Sequence, residues 1–309
     1  MTNHANTAQD AVHQKASITA PEVYHAGEGE IAVATMYKFV EITNAQELQP
    51  IWKAKMAELE IKGTILVTPE GINGTISGPE AGIEAMFSFL REDERFSDLT
   101  YKTSYVADYP FKKIKVKVKK ETIPMGHHVD PQNIVGTYVK PKDWNALIEQ
   151  DDVVLVDTRN IYETHLGTFE NALDPRTQTF TEFPKWVKEN LDPKKHKKVA
   201  MFCTGGIRCE KTTSYLKAEG FEDVYHLEGG ILKYLEEIPQ QESTWNGECY
   251  VFDDRVAVGH GLAPSVEATR CPNCGIPLIA ADMRIASDTK KGAICPECLH
   301  VPEWNQGAE

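Results

Sequence analysis

Residues 203–209, Cys-Thr-Gly-Gly-Ile-Arg-Cys, place a thiol, two glycines, a permanent cation and a second thiol in one short stretch. The thiolate is the nucleophilic form of cysteine, and it is favoured beside cations and where backbone N–H groups converge at a helix N-terminus. Gly205 and Gly206 permit the tight backbone of such a loop, and Arg208 is expected at its mouth, holding an anionic substrate or intermediate. Cys209 is expected near the start of the following helix. There it either resolves a sulfenic acid or persulfide on Cys203 as a disulfide, or is a small buried helix residue. The plainer alternative for Cys203, a buried strand-end cysteine before an ordinary turn, does not account for both glycines and the arginine.

A second chemistry-bearing pattern lies towards the end of the chain. Cys271-Pro-Asn-Cys274 and Cys295-Pro-Glu-Cys298 are two Cys-x2-Cys pairs separated by 20 residues. Four thiolates so spaced suit one tetrahedral ion, zinc above all, and a closed set leaves no coordination position for catalysis, so the site reads as structural; redox-active dithiols are the alternative. Ile276, Leu278, Ile279, Ile285 and Ile294 are among the few large apolar residues of this tail, so metal is expected to supply much of its folding free energy. Cys249 stands outside both pairs and reads as a core residue.

A third pattern is Lys113-Ile-Lys115-Val-Lys117-Val-Lys119. As a strand it sets four lysines on one face, spaced about 6 to 7 Å, and Ile114, Val116 and Val118 on the other. Such a row could meet RNA phosphates, or could be a solvated sheet face or an edge guarded against aggregation. A second basic run, Lys194, Lys195, Lys197 and Lys198, reads as a solvated loop, and the pair His127-His128 as exposed.

These groups need elements to hold them. Ala34 to Val40 reads as a strand, Ala45 to Leu59 as a helix whose start Pro50 disputes, then strands Lys62 to Thr68 and Gly71 to Ser77, helix Glu80 to Leu90, and a strand pair, Leu99 to Val106 and Lys113 to Lys119. The order β-α-β-β-α-β is that of ferredoxin-like or acylphosphatase-like sandwiches, with the last pair an addition or one split strand. Further on, Val153 to Val156 and Val199 to Phe202 are continuous apolar strands and residues 220–227 supply a third, with helices Phe180 to Leu191 and Cys209 to Glu219 between them. That pattern is a parallel α/β sheet covered on both faces, with functional groups at its strand C-terminal ends.

The 309 residues, 41% of them hydrophobic, agree with about two domains and a small third segment. The reading is a polar tail over 1–30, a ferredoxin/acylphosphatase-like domain over 31–122, a linker over 123–137, a parallel α/β domain over 138–240 and a four-cysteine segment over 241–309. A net charge of -13 opposes non-specific polyanion binding, so an RNA partner needs a local basic patch. An odd number of cysteines argues against a disulfide framework, and neither a membrane span nor a secretion signal is seen, so a cytoplasmic protein without a membrane partner is expected.

The Cys-x4-Arg loop resembles the active-site loop of the rhodanese family. Asp157-Thr158-Arg159, Glu163, Gly167, Ala172 and Leu227-Glu228-Gly229-Gly230-Ile231 match further stretches of that family over about one hundred residues. A dual-specificity phosphatase loop has one more residue between cysteine and arginine. Thr168 stands where many rhodaneses have histidine, and the aromatic that usually follows Gly-Gly-Ile is displaced to Tyr234. The string Cys203 to Lys211, with Glu70-Gly71-Ile72-Asn73 upstream and Tyr250-Val251-Phe252-Asp253-Asp254-Arg255 downstream, resembles the rhodanese-domain tRNA uridine-34 hydroxylase family.

That resemblance implies an acylphosphatase-like domain, a rhodanese-like domain over 138–240 and a cysteine-bearing tail. It implies an oxidoreductase that forms 5-hydroxyuridine at the tRNA wobble position with molecular oxygen as co-substrate, its electron donor unknown. It makes Cys203 the essential thiol, as a nucleophile towards the uracil ring or as a carrier of oxidised sulfur, with Thr204, Gly205, Gly206, Ile207 and Arg208 holding an anion and Asp157 and Arg159 in a positioning role. Two alternatives stand beside it: a sulfurtransferase working through a Cys203 persulfide, and a non-catalytic RNA- or protein-binding adaptor.

Overall fold

The computed structural model describes residues 30–283 and, beyond them, 287–289, 292–295 and 298. Residues 1–29, most of the expected polar tail, and Ile285 lie outside the described residues.

The first half builds β1 (Ile31–Phe39), α1 (Ala45–Glu58), β2 (Lys62–Thr68), β3 (Gly71–Gly78), α2 (Glu80–Arg91), β4 (Lys102–Val106) and β5 (Ile114–Val118). The sheet order is β4-β1-β3-β2-β5. The first four strands, all antiparallel to their neighbours, are the acylphosphatase-like sandwich, and β5 is an addition running parallel to β2. The two late strands therefore do not pair with each other; each closes an opposite edge, because the free partners are β1 on one side and β2 on the other. Trp52 and Met56 of α1 and Ile83, Met86, Phe87 and Leu90 of α2 bury against Ala34, Met36, Ile65, Val67, Ile72 and Ile76 of the sheet. Pro50 does not delay α1, which runs unbroken from Ala45. Pro50 and Gln46 both lie exposed, on a side of the helix where solvent can reach the carbonyl that proline leaves without a backbone donor.

The second half builds β6 (Thr137–Val139), α3 (Pro141–Ile148), β7 (Val153–Asp157), α4 (Ile161–Thr164), β8 (Gly167–Phe169), α5 (Phe183–Asn190), β9 (Lys198–Phe202), α6 (Ile207–Ala218), β10 (Asp223–Leu227) and α7 (Gly230–Glu237). The strands β6-β10-β9-β7 form a parallel sheet. In β9, Val199 and Met201 join one core with Phe183, Val187 and Leu216, while Ala200 and Phe202 join the other with Trp144, Tyr234 and Leu235. Both faces are covered, which is why the strand is apolar without alternation. The helix expected over 180–191 is a 3-10 turn at Phe180–Glu182 followed by α5, with Pro184 in its first turn. Helix α6 starts two residues before the expected Cys209, because Gly206 already takes the left-handed conformation that launches it.

Residues 123–137 are laid along α6: Met125 is fully buried in the core beside it, and the Gly136 N–H donates to Thr213 Oγ1 at 3.0 Å. After α7, β11 (Trp245–Gly247) pairs antiparallel with β8. Cys249 is a buried core residue whose thiol burial pushes up to about 12. The remaining described chain forms short antiparallel pairs. No helix among the described residues is long and apolar enough to cross a membrane.

Candidate active site at the domain junction

Strand β9 delivers buried Cys203 to the loop, and three consecutive loop carbonyls are held on one side. At the N-terminus of α7, Ile231 N–H donates to the Cys203 carbonyl at 2.9 Å and Leu232 N–H to the Thr204 carbonyl at 3.1 Å. Lys102 Nζ, from β4 of the other domain, donates to the Gly205 carbonyl at 2.8 Å and also to the Gly229 carbonyl. In a planar trans peptide the N–H points opposite to the C=O. The N–H groups of Thr204, Gly205 and Gly206 are thereby turned to the other side, and Gly206 N–H reaches Cys203 Sγ at 3.1 Å.

The close approach of α7 explains the Gly-Gly pair. A Cβ on Gly230, at φ +67°, would meet Cys203 O, Thr204 O and Gly206 N at 2.5 to 2.8 Å. Burial by itself would push the Cys203 thiol up. The Cys209 thiol, the Arg208 charge and the N–H groups of Cys209 and Gly206 outweigh it, and Cys203 is held well below the usual thiol range. The same pairing, with burial, raises Cys209. Cys209 also lies against Thr158 Oγ1 at 3.8 Å, so the two thiols share one buried environment.

Arg208 is placed differently from the expectation. It is buried, and its fork is taken by the Glu163 carboxylate, with Nη2 to Oε2 at 2.7 Å. The planar guanidinium finds a matching bidentate partner inside the protein, so it does not stand free at the mouth for an incoming anion. What the loop can offer negative charge is its N–H groups, of which that of Gly206 meets the Cys203 sulfur. Asp157 and Arg159 form a fully buried pair at 2.6 Å. Arg159 also donates to the Gly167 carbonyl and lies over the Trp245 ring at 5.1 Å, while Thr168 Oγ1 donates to Asp157 at 2.9 Å. The pair ties β7, β8 and β11 together, and none of its hydrogen bonds reaches Cys203. Thr168, where many rhodaneses carry histidine, completes that tie.

The residues that sequence reasoning missed come from the first domain, from β6, from the far end of the loop string and from the segment after α7. Glu210 is buried and accepts from Tyr37 Oη of β1 at 2.9 Å and from Tyr138 Oη of β6 at 2.6 Å. Burial holds its carboxyl above the ordinary range despite both donors. Lys211, 1% exposed, donates to Glu70 at 3.0 Å, Glu121 at 2.7 Å and the Ile123 carbonyl at 3.0 Å. Arg255, paired with Asp253, donates to Ser104 Oγ of β4 at 2.8 Å. Glu70, Lys211 and Arg255 all sit in the three motif strings, which was the signal that could have found them; Tyr37 and Lys102 carry none.

A cleft of about 1120 Å³ opens between the domains, lined among others by Tyr37, Tyr101, Lys102, Gly205, Gly229 and Lys233. Burial lowers the Lys102 ammonium to about 8. The loop shows Gly205 to this cleft.

Away from it, Lys113, Lys115, Lys117 and Lys119 are all exposed on and beside edge strand β5, opposite buried Val116. In the tail, the sulfurs of Cys271, Cys274, Cys295 and Cys298 lie within 4.8 Å of one another, with Cys274 and Cys295 at 3.7 Å. Four sulfurs at about 2.3 Å from a central ion are about 3.8 Å apart in a tetrahedron, so the cluster can hold a metal such as zinc. Cys295 N–H donates to Cys271 Sγ and Cys298 N–H to Cys295 Sγ, each at 3.4 Å, which suits thiolate ligands.

A family model for the UPF0176 acylphosphatase-like domain matches residues 31–122, and one for the rhodanese-like domain matches residues 140–237. Among solved structures, a rhodanese-related protein from Thermoplasma volcanium is 22% identical, over 33% of this chain and 92% of that one, with a TM-score of 0.26. A protein of unknown function from Rhodopseudomonas palustris, described as a possible tyrosine phosphatase, is 23% identical over 34% of this chain and 82% of that one, with a TM-score of 0.28. A rhodanese-like domain from Anabaena is 15% identical over 37% and 80%, with a TM-score of 0.30.

Proposed function

Because the chain belongs to the family that joins a UPF0176 acylphosphatase-like domain to a rhodanese-like domain, we propose that it is a tRNA-modifying oxidoreductase that converts the wobble uridine, uridine-34, to 5-hydroxyuridine. The observation that carries this reading is the union of the three motif strings at one junction. Glu70 of the first meets Lys211 of the second, and Arg255 of the third holds β4, whose Lys102 reaches the Cys203 loop. The resemblance rests on those strings, and residues of all three take part in the contacts at this junction.

In this reading Cys203 is the catalytic thiol: as thiolate it adds across the uracil C5–C6 double bond, whose electrons move to C5 and the ring carbonyl, and it is expelled when that double bond re-forms with loss of the C5 proton. The N–H groups of Thr204, Gly205 and Gly206 stabilise negative charge beside it, and Ile207 starts the helix that carries Arg208. Arg208, Asp157 and Arg159 keep the loop in shape. Were Cys203 instead to carry a sulfenic acid or persulfide, Cys209 would be the thiol to resolve it as a disulfide, with water or hydrosulfide leaving. The net change replaces the uracil C5–H by C5–OH. One oxygen atom of O₂ enters the ring and the other leaves as water, with two electrons and two protons from a donor such as a dithiol. A cleft above the size of ordinary ligand pockets admits a nucleoside with its flanking backbone. The exposed lysines from Lys113 to Lys119 are the proposed contact for tRNA phosphates, zinc is the proposed structural metal of the tail, and the cytoplasm is the proposed location.

The test is nucleoside mass spectrometry of tRNA from cells lacking the gene, complemented with wild type or with Cys203→Ser. The expected result is loss of 5-hydroxyuridine-derived nucleosides, restored by wild type alone. Full restoration by Cys203→Ser would sink the thiol mechanism. Unchanged wobble uridines in cells with no redundant pathway would favour sulfur transfer through a Cys203 persulfide.

A further inference from the structure

Lys102 reaches from β4 across the domain boundary to the peptide that joins Gly205 and Gly206. Its ammonium takes the carbonyl of that peptide at 2.8 Å, and the N–H of the same peptide donates to Cys203 Sγ at 3.1 Å. Because C=O and N–H of one trans peptide are antiparallel, holding the oxygen on one side aims the hydrogen to the other. Gly205 has open space where a side chain would sit, so sterics do not fix this peptide. The neighbouring carbonyls of Cys203 and Thr204 are anchored from within the rhodanese-like domain by α7, whereas that of Gly205 is anchored from outside it.

We propose that Lys102 is a positioning residue for Cys203: by holding the Gly205 carbonyl it aims the Gly206 N–H at the sulfur, so the acylphosphatase-like domain completes the thiolate cradle of the rhodanese-like domain. The thiol is thus fully primed only when the two domains are docked. Docking is secured on either side of Lys102, by Arg255 on Ser104 in the same strand and by Lys211 on Glu70 and Glu121. The charges facing Lys102 include Cys203, Lys233, Glu236, Glu228 and Glu210; those facing Cys203 include Arg208, Cys209, Glu210 and Tyr37.

This inference rests on Cys203 as the reactive thiol of the reading above, but its readout is ionisation and needs no turnover, so the two can fail separately. The experiment titrates ultraviolet thiolate absorbance in the full chain, taking the difference from the Cys203→Ser protein with the same residue at position 102. Lys102→Met is expected to raise the Cys203 midpoint by about one pH unit, a tenfold loss of thiolate on the acid side of the midpoint, and Lys102→Arg is expected to restore it. A midpoint unmoved in Lys102→Met overturns the proposal. Should Lys102→Met fail to melt cooperatively, Lys102→Gln, which keeps a donor without the charge, takes its place. A midpoint kept at the wild-type value there supports the proposal, because a donor still holds the Gly205 carbonyl, and an upward shift, which the lost charge alone would cause, overturns it.

Discussion

Glu163→Gln tests the claim that Arg208 serves the loop from inside the fold. The Glu163 side chain is 0% exposed and that of Arg208 is 4% exposed, and they meet fork to fork. Glutamine keeps the shape and one acceptor, removes the charge, and leaves a buried guanidinium without its bidentate carboxylate, the Cys203 thiolate being the opposite charge that remains. Breaking a buried pair from one side costs about 3–5 kcal/mol. That is a large share of the roughly 5–15 kcal/mol by which a domain is stable.

Urea unfolding followed by tryptophan fluorescence reports it, since Trp144, Trp186 and Trp245 all lie in or against the rhodanese-like cores. Adding Arg208→Met should recover part of the loss, because the stranded charge is then gone. A loss under about 1 kcal/mol, or strict additivity of the two changes, would refute a buried pair of this strength. Burial would raise the Glu163 carboxyl, but the Arg208 and Arg159 charges hold it below its ordinary range. A folded value below the unfolded one of about 4.3 means the contribution is complete above that pH and is lost as pH falls through the folded value. The gap between wild type and Glu163→Gln should therefore be flat around neutrality and close only in acid.

Metal analysis of reduced, freshly purified protein should find one zinc per chain, and a chelator should make the tail sensitive to proteolysis while the two domains melt unchanged; protein without zinc would contradict the assignment. Its described apolar cluster, Leu278, Ile276, Ala293 and Ile294 around the cysteines, is too small to order it otherwise. Charge reversal at Lys115 and Lys117 should weaken tRNA binding and flatten its salt dependence by about 0.9 in slope for each phosphate no longer neutralised. Unchanged binding at low salt would put the RNA site elsewhere.

Local patterning was enough to read the sandwich order, the buried strand ending in Cys203, the lysine alternation of β5 and the four-cysteine spacing, because each depends on periodicity or on spacing within a short stretch. Pro50 misled for a local reason too: the cost of a proline in a helix depends on whether water can reach the orphaned carbonyl, and exposure is not written in the neighbouring residues. The edges taken by β4 and β5 were decided by which strands still had free hydrogen-bonding groups, a property of the assembled sheet.

The site divides in the same way. Cysteine, glycines and arginine announced a thiol loop, but Arg208 turned inward because Glu163, 45 residues away in sequence, offered a desolvated carboxylate that fits its fork. Lys102 and Tyr37 belong to a different domain, 101 and 166 residues before Cys203 by their numbering, and nothing in their local sequence marks them. Electrostatics and peptide orientation depend on distance in space, so the sequence by itself determined that a glycine-rich thiol loop was present, and only the folded chain decided which groups lie against the sulfur.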